Sequence, residues 1–314
     1  MRTSIVAIFL AGTTFLAKAQ ESRIAYNFLR LPVSAHVAAL GGENISLTDD
    51  DAPLIFHNPA LINGVSDRTL NLNYMTYMEG TKTASAAFIK GAGERASWGI
   101  TGQYMDYGSM PETSYDGERL GDFSARDIAL GGTFAYALTN NISGGVTAKV
   151  ISSHIAGYSS LAVGIDLGAN CYDAERDLSI SAVARNLGGQ VKAYDDEFEP
   201  IPFDLQVGIT KRLQNSPFRF SATLSRLTNW DEAFGRHLAL GADILIGENI
   251  YIAAGYNFRR AHQMKIDDGE GDSAHGAGLS IGGGLQLERF KLHIGYGKYH
   301  VSAHSLLINI AYSL

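Results

Sequence analysis

Apolar and polar residues alternate along most of the chain from residue 69 onward. The last residues show the pattern clearly, because one face of the segment carries Leu306, Ile308, Ile310, Tyr312 and Leu314. The intervening positions are polar or small, and Leu307 is the one exception. Side chains of a strand point alternately to the two faces of a sheet, so a period of two predicts β-strands whose faces meet different surroundings.

About fourteen segments follow this pattern. They span 69–77, 83–90, 95–106, 123–138, 141–153, 158–171, 175–187, 201–213, 217–228, 234–247, 249–260, 276–287, 289–299 and 303–314. Several exceed the ~5–6 residues usual in soluble sheets and reach the ~9–11 that a tilted strand needs to cross a bilayer. Short links such as "LTNN" alternate with long polar links such as "YGSMPETSYDGERLGD", as in outer-membrane barrels.

The pattern predicts an all-β fold, an antiparallel transmembrane barrel of about 14 strands over residues 67–314. A secreted β-sandwich would explain the alternation but not the alternating link lengths. Aromatic residues near strand ends fit interfacial girdles; they are Tyr74, Trp98, Tyr104, Phe134, Tyr136, Tyr256, Phe258, Tyr296 and Tyr312. Charged residues on the opposite faces predict a polar lumen; they are Asp127, Lys149, Asp166, Asp204, Arg219 and Asp243.

Residues 20–66 break the alternation and contain two helix signals. Ser34 is an expected N-cap, and the following Ala-rich turn ends at Gly41 and Gly42. In "DDDAPLIFHNPALI", Asp51 is an expected cap, Pro53 suits a first helical turn and Pro59 should stop the helix. A partly helical segment before a wide barrel is most simply an internal plug, since side chains alone do not fill such a lumen. The alternative is a periplasmic arm outside the barrel.

The first nineteen residues, "MRTSIVAIFLAGTTFLAKA", have the layout of a secretory signal peptide cleaved near Ala19. Cleavage would remove two basic residues and shift the formal net charge from −7 to about −9, which disfavours nucleic acid as a partner. The single cysteine, Cys171, excludes an internal disulfide and is expected to be an inert side chain on a strand.

No motif of a hydrolase or nucleotide-binding enzyme is present, so no catalytic residue and no cofactor is predicted. His300 and His304 are four residues apart on a strand and turn, a spacing that does not build a zinc site there. The acidic run at 267–272 lacks the residue order of a calcium loop and is expected to be a solvated loop tip. No metal site is therefore predicted.

The stretch "YNFLRLPVSAHVAALGGENISLTDDDAPLIFHNPALI", residues 26–62, resembles the start of FadL-like outer-membrane proteins, and among them the PorV/PorQ group of the type IX secretion system of Bacteroidetes. In that family an acidic stretch and an Asn-Pro-Ala motif precede the first strand. The matching residues here are Asp49, Asp50, Asp51, Phe56, His57, Asn58, Pro59 and Ala60.

The resemblance implies a non-enzymatic protein of the outer membrane, in contact with its lipid and lipopolysaccharide. Its extracellular loops would hold a PorZ-like surface protein and, through it, a PorU-like sortase and a PorV-like barrel. Loop residues expected to bind the partner are Tyr107, Met110, Tyr115, Tyr194, Asp195, Asp196 and Phe198. The alternative is a FadL-like channel for hydrophobic small molecules, which would need an apolar pocket that the polar faces do not show. An open porin is disfavoured by the plug.

Overall fold

The computed structural model describes residues 24–78, 80–264, 266–267, 272–273, 276–301 and 303–314. The predicted signal peptide and most of the acidic run at 267–272 lie outside these residues. Fourteen antiparallel strands form one closed barrel in which the first and last strands pair, as the sequence predicts.

The barrel strands are β1 Thr69–Thr76, β2 Lys82–Gly91, β3 Ala96–Thr113, β4 Arg119–Ala137, β5 Ile142–Ile155, β6 Tyr158–Asp173, β7 Leu178–Lys192, β8 Asp204–Arg212, β9 Phe218–Leu224, β10 Leu238–Ile246, β11 Ile250–Asn257, β14 Leu279–Gln286, β15 Phe290–His300 and β16 Ala303–Ser313. A separate two-stranded sheet pairs β12 Ile266–Asp267 with β13 Asp272–Ser273. The α-helices are α1 Ala35–Ala39 and α2 Phe258–Gln263. The 3-10 helices are Asn27–Arg30, Ala52–Phe56, Pro59–Gly64 and Phe234–His237.

Closure of the barrel fixes which face of each strand points outward. Leu72 of β1 lies opposite Ile310 of β16, and both side chains are exposed on the outer wall. Asn71 and Asn309, their neighbours in sequence, are buried inside the ring. The apolar face therefore points outward and the polar face inward, which rules out the β-sandwich, where the apolar faces would meet in a core.

The largest difference from the predicted elements is in the hairpin of β3 and β4. The predicted long loop "YGSMPETSYDGERLGD" is mostly paired strand, with the turn confined to residues 114–118. Tyr107 and Met110 consequently lie within β3 and not on a loop. The prediction for 249–260 was also too long, because the side chain of Asn257 accepts a hydrogen bond from the Arg260 amide and starts α2 at Phe258.

Residues 24–66, called the plug below, lie inside the ring and pack against inward-facing residues. Ser34 caps α1 as predicted, accepting a hydrogen bond from the Val37 amide at 3.2 Å. Asp51 does not cap the next helix; its carboxylate accepts from the Ser34 hydroxyl. The helix Ala52–Phe56 ends before Pro59, as expected, and Asn58 is extended and caps a second 3-10 helix that begins at Pro59. Among the described residues, no helix is both long and apolar enough to cross a membrane.

Candidate functional site

The three consecutive acidic residues of the plug, Asp49–Asp51, each have a different partner. Asp49 binds Arg219 of β9, and Asp50 pairs with Lys291 of β15. Asp51 accepts from the Ser34 hydroxyl at 3.0 Å. Two of the three therefore join the plug to strands that lie far from it in the sequence, and the third joins two parts of the plug.

Arg219 is the centre of a buried charge network. Its two terminal nitrogens donate to the two carboxylate oxygens of Asp49 at 2.6 and 2.9 Å, the bidentate geometry that suits a guanidinium. Its Nε donates to Asp243 of β10 at 2.8 Å. The other oxygen of Asp243 lies 2.7 Å from Nε2 of the plug residue His36. One cation thus balances a carboxylate of the plug and a carboxylate of the wall.

The charge network extends along the same side of the ring, from β9 to β15, through a ring stack and a hydrogen bond. The His36 ring stacks on Tyr251 of β11 at 3.7 Å, and the Tyr251 hydroxyl is hydrogen-bonded to Nδ1 of His293 at 2.8 Å. Nε2 of His293 then lies 3.7 Å from Asp51. Burial by itself would raise the pKa of Asp49, but the charges of Arg219 and His36 outweigh it and lower this pKa to about 2. The carboxylate is therefore ionised at neutral pH.

The Asn58-Pro59-Ala60 turn of the plug rests on two glycines of the wall. Gly145 of β5 and Gly168 of β6 lie directly opposite each other and face the lumen. A Cβ atom on Gly168 would lie 2.2 Å from Oδ1 of Asn58, and one on Gly145 would lie 2.4 Å from the Pro59 carbonyl carbon. Only residues without a side chain fit here, so the glycine pair forms the seat of the turn.

His57 holds the plug together by accepting hydrogen bonds. Its Nε2 accepts from the backbone amides of Val33 and Ser34, both at 3.3 Å. Burial, with a smaller contribution from the charge of Arg185, holds the His57 pKa well below its usual value of 6.5. The ring is therefore neutral when seated, and protonation would turn the accepting nitrogen into a donor facing two other donors.

We expect acid to loosen the plug at His57. The seated ring has a lowered pKa, whereas an unseated ring takes up a proton near its ordinary value of 6.5. Stability from this group is fully present above that value and falls below it, by up to about tenfold in the seating equilibrium per pH unit. Single-channel recordings between about pH 7.5 and 4.5 should show more frequent openings in acid. His57→Gln, which keeps an acceptor but cannot be protonated, should lack this response. The same acid response in His57→Gln and the unaltered protein would contradict the role of His57.

An apolar belt interrupts the polar inner wall in the half of the barrel nearer the long loops. It consists of Met75, Met105, Ala129, Ile151, Ala162 and Leu307, all buried. The strand registers place its members on neighbouring strands: Leu307 lies opposite Met75, and Thr83 separates Met75 from Met105. Ile151 lies opposite Ala129 on one side and Ala162 on the other. The Leu307 exception to the alternation is thus a member of this belt.

The plug itself fills the space inside the apolar belt. Phe28, Leu29 and Leu31, in and next to the 3-10 helix Asn27–Arg30, are buried in the same cluster as the belt. The adjoining cavity, lined by Leu29, Leu31 and polar residues of the wall, measures about 30 Å³, which is room for water and not for an organic ring. Above it, the β7–β8 loop folds inward, and Pro200 accepts a hydrogen bond from the Ala25 amide.

The opposite half of the lumen opens into a polar vestibule at the end with the short turns. Its volume is about 360 Å³, and its walls include Asp49, Arg219, Arg212, Asp177 and Glu248. The charge network therefore forms the inner end of this vestibule. The half of the lumen near the long loops thus has an apolar belt covered by the plug, and the other half contains a polar vestibule.

The predicted partner-binding residues occupy different settings. Tyr115 is fully exposed at the β3–β4 tip, and Asp195, Asp196 and Phe198 are exposed on the β7–β8 loop. Met110 is half-buried in β3. Tyr107 donates its hydroxyl proton to Asp127, and Tyr194 is half-buried, its ring 6.5 Å from that of Tyr26.

Sequence reasoning overlooked two exposed aromatic residues on the β9–β10 loop. They are Trp230, 70% exposed, and Phe234, 64% exposed. Only their position in a long polar link could have indicated them. With Tyr115 and Phe198, they give the long-loop end of the barrel four large aromatic groups that face outward.

Within the described ranges, no three His, Cys, Asp or Glu side chains are grouped so that they could hold a metal ion. His300 packs edge-on against Tyr77 at 5.7 Å, and His304 stacks on Tyr296 at 5.4 Å. These two histidines therefore act in aromatic packing. Cys171 is a free thiol on an exposed part of β6.

Similar folds occur among solved structures of transport proteins. A crystal structure of a Pseudomonas aeruginosa FadL homologue aligns with a TM-score of 0.56 and 11% identity over 90% of this chain and 98% of that one. CymD, a monoaromatic hydrocarbon channel, aligns with a TM-score of 0.57 and 14% identity over 90% of this chain and 97% of that one. The Pseudomonas putida toluene transporter TodX aligns with a TM-score of 0.55 and 13% identity over 90% of this chain and 96% of that one. No protein-family model and no curated protein matches the chain. At these identities the likeness shows a FadL-like fold.

Proposed function

We propose that this protein is an outer-membrane barrel that takes up small hydrophobic molecules, with the apolar belt as their binding site. The fold is that of channels and transporters, including one for monoaromatic hydrocarbons and one for toluene. The exposed apolar outer wall suits a bilayer. Residues 67–314 supply the barrel, and the plug closes it.

The observation that carries the proposal is the apolar belt on the lumen side of the wall. Two inward methionines, an isoleucine and a leucine give this part of the wall an apolar surface toward the lumen. These side chains lie in one cluster with Phe28 and Leu29 of the Asn27–Arg30 helix. Withdrawal of the Asn27–Arg30 helix would therefore leave an apolar pocket, which a hydrophobic molecule could fill in its place.

Met105→Gln should weaken toluene binding about tenfold, because the substituted side chain keeps nearly the same shape but must be desolvated by an apolar ligand. Met105→Leu, which keeps the belt apolar, should bind within about twofold of the unaltered protein. Equilibrium dialysis of radiolabelled toluene against protein in nanodiscs, with empty nanodiscs subtracted, measures both. Equal toluene affinities of the two variants would show that the belt is not the binding site.

A second candidate function is a docking platform for surface proteins, favoured by the aromatic residues exposed at the long-loop end. Trp230, Phe234, Phe198 and Tyr115 are of the types that dominate binding energy at protein interfaces. The resemblance of residues 26–62 to the PorV/PorQ group supplies the partners to test: a PorZ-like surface protein and, through it, a PorU-like sortase and a PorV-like barrel. No solved structure named above comes from a secretion system.

Gentle extraction of the tagged protein from its host membrane separates the two functions. Stoichiometric recovery of a large surface protein with a sortase, lost on Trp230→Ala and Phe234→Ala, would support the platform. Recovery of the barrel alone would contradict it and leave hydrophobic uptake as the function. Toluene binding is measured on the isolated protein, so each proposal can fail independently.

A further inference from the structure

The outer wall of the barrel carries an open apolar groove of about 530 Å³ that crosses β8 to β11 and reaches β14. Its floor is made of alanines: Ala242 lies directly opposite Ala254, and Ala222 lies on the adjoining strand opposite Leu240. Elsewhere the outward positions of these strands carry larger side chains. The groove therefore exists because each of three neighbouring strands carries one outward alanine among larger side chains.

The inner side of the wall is equally thin behind this floor. Gly241 and Gly255 are paired and face the lumen, where an added Cβ would lie 2.7 Å from Leu40 and 2.3 Å from Gly41 of the plug. The plug thus packs directly against the inner side of the groove. Phe220, Leu240 and Leu279 form exposed apolar rims around the floor.

One cation lies among the residues that line the groove. Lys211 is half-buried, one residue before β8 ends at the short-turn side. Among the described residues it has no carboxylate or hydrogen-bond partner. Lys149 and Lys291, which face inward, are each paired with an aspartate. An unpaired ammonium close to the strand end can reach the level of the lipid headgroups, and there it attracts phosphate.

We propose that the groove binds one acyl chain of an anionic phospholipid in the leaflet at the short-turn side, with Lys211 holding the phosphate. The apolar floor and rims accept the chain, and the cation at the end of the groove accepts the headgroup. The chemistry differs from that of the belt, because this site opens to the membrane and not to the lumen. The inference rests on the barrel lying in a bilayer and is independent of what the barrel transports.

Native mass spectrometry of protein released from nanodiscs of equal phosphatidylglycerol and phosphatidylcholine tests the site. The unaltered protein should retain one phosphatidylglycerol in preference to phosphatidylcholine. Lys211→Ala should lower that preference about fivefold to tenfold. Ala242→Phe, which fills the groove, should abolish retention of either lipid.

Two matched controls separate this site from ordinary contact with the bilayer. Lys90→Ala removes another outward lysine at the short-turn end, and Ala148→Phe enlarges another outward alanine. Both should retain phosphatidylglycerol as the unaltered protein does, with folding checked by heat-modifiable gel mobility. A Lys90→Ala effect equal to that of Lys211→Ala, or no lipid preference in the unaltered protein, would overturn the proposal.

Discussion

Replacing Arg219 by alanine is expected to free the acidic stretch of the plug and to destabilise the closed protein by about 3–5 kcal/mol. The substitution leaves the half-buried Asp49 and the buried Asp243 without the guanidinium that balances both. The two carboxylates, left with His36 as their shared partner, then repel each other, and moving the plug into water relieves the repulsion. The thermal midpoint of the protein in detergent should fall, and channel recordings should show long openings.

Arg212→Ala is the matched control for the loss of an arginine. Arg212 lines the same vestibule, but its side chain is 46% exposed and lies 3.9 Å from Asp177, so its removal should cost less than about 1 kcal/mol. Adding Asp243→Asn to Arg219→Ala should recover part of the lost stability, since one of the two stranded charges disappears. Equal midpoints for Arg219→Ala and Arg212→Ala would contradict the role of the charge network.

Gly168→Val is expected to prevent the Asn58-Pro59-Ala60 turn from seating and to leave the lumen conducting. Even the first added carbon would lie 2.2 Å from Asn58 Oδ1 and 2.9 Å from the Pro59 ring, and the wall strand cannot move without breaking its pairing. The closed state should lose at least about 1–3 kcal/mol. Conductance in planar bilayers should rise several-fold over the unaltered protein.

Gly132→Val makes the same change on β4, where no atom lies within 4 Å of an added Cβ. Its conductance should match that of the unaltered protein, and heat-modifiable gel mobility shows whether each barrel has folded. A closed Gly168→Val barrel would mean that the turn can bind elsewhere. The glycine pair would then not be required for closure.

The barrel was predictable because its evidence is local. Strict alternation in stretches such as Phe218–Leu224 reports two different faces without any knowledge of the partner strands. The β3–β4 hairpin was less predictable, because Gly108, Pro111 and charged residues in it are typical of a loop. The pairing between the two strands nevertheless continues past register shifts near Asp106 and Glu112.

The site was less predictable, since it depends on pairing between distant parts of the chain. The Asn-Pro-Ala turn was identified, but its seat depends on Gly145 and Gly168 being cross-strand neighbours. Asp49 and Arg219 were both singled out, yet they are 170 residues apart and nothing in the sequence joins them. One feature of the sequence indicates the belt. Apolar residues stand in direct succession at Leu306-Leu307 and Val150-Ile151, so one residue of each pair must face inward.

Occupancy of the apolar belt is tested most directly by a crystal structure of the protein soaked with bromobenzene, because the anomalous signal of bromine locates the ring. The proposed function predicts a bromine peak in contact with Met105 and Ile151, with Phe28 displaced from the belt. An undisturbed Asn27–Arg30 helix, with bromine peaks only on the outer wall, would contradict it.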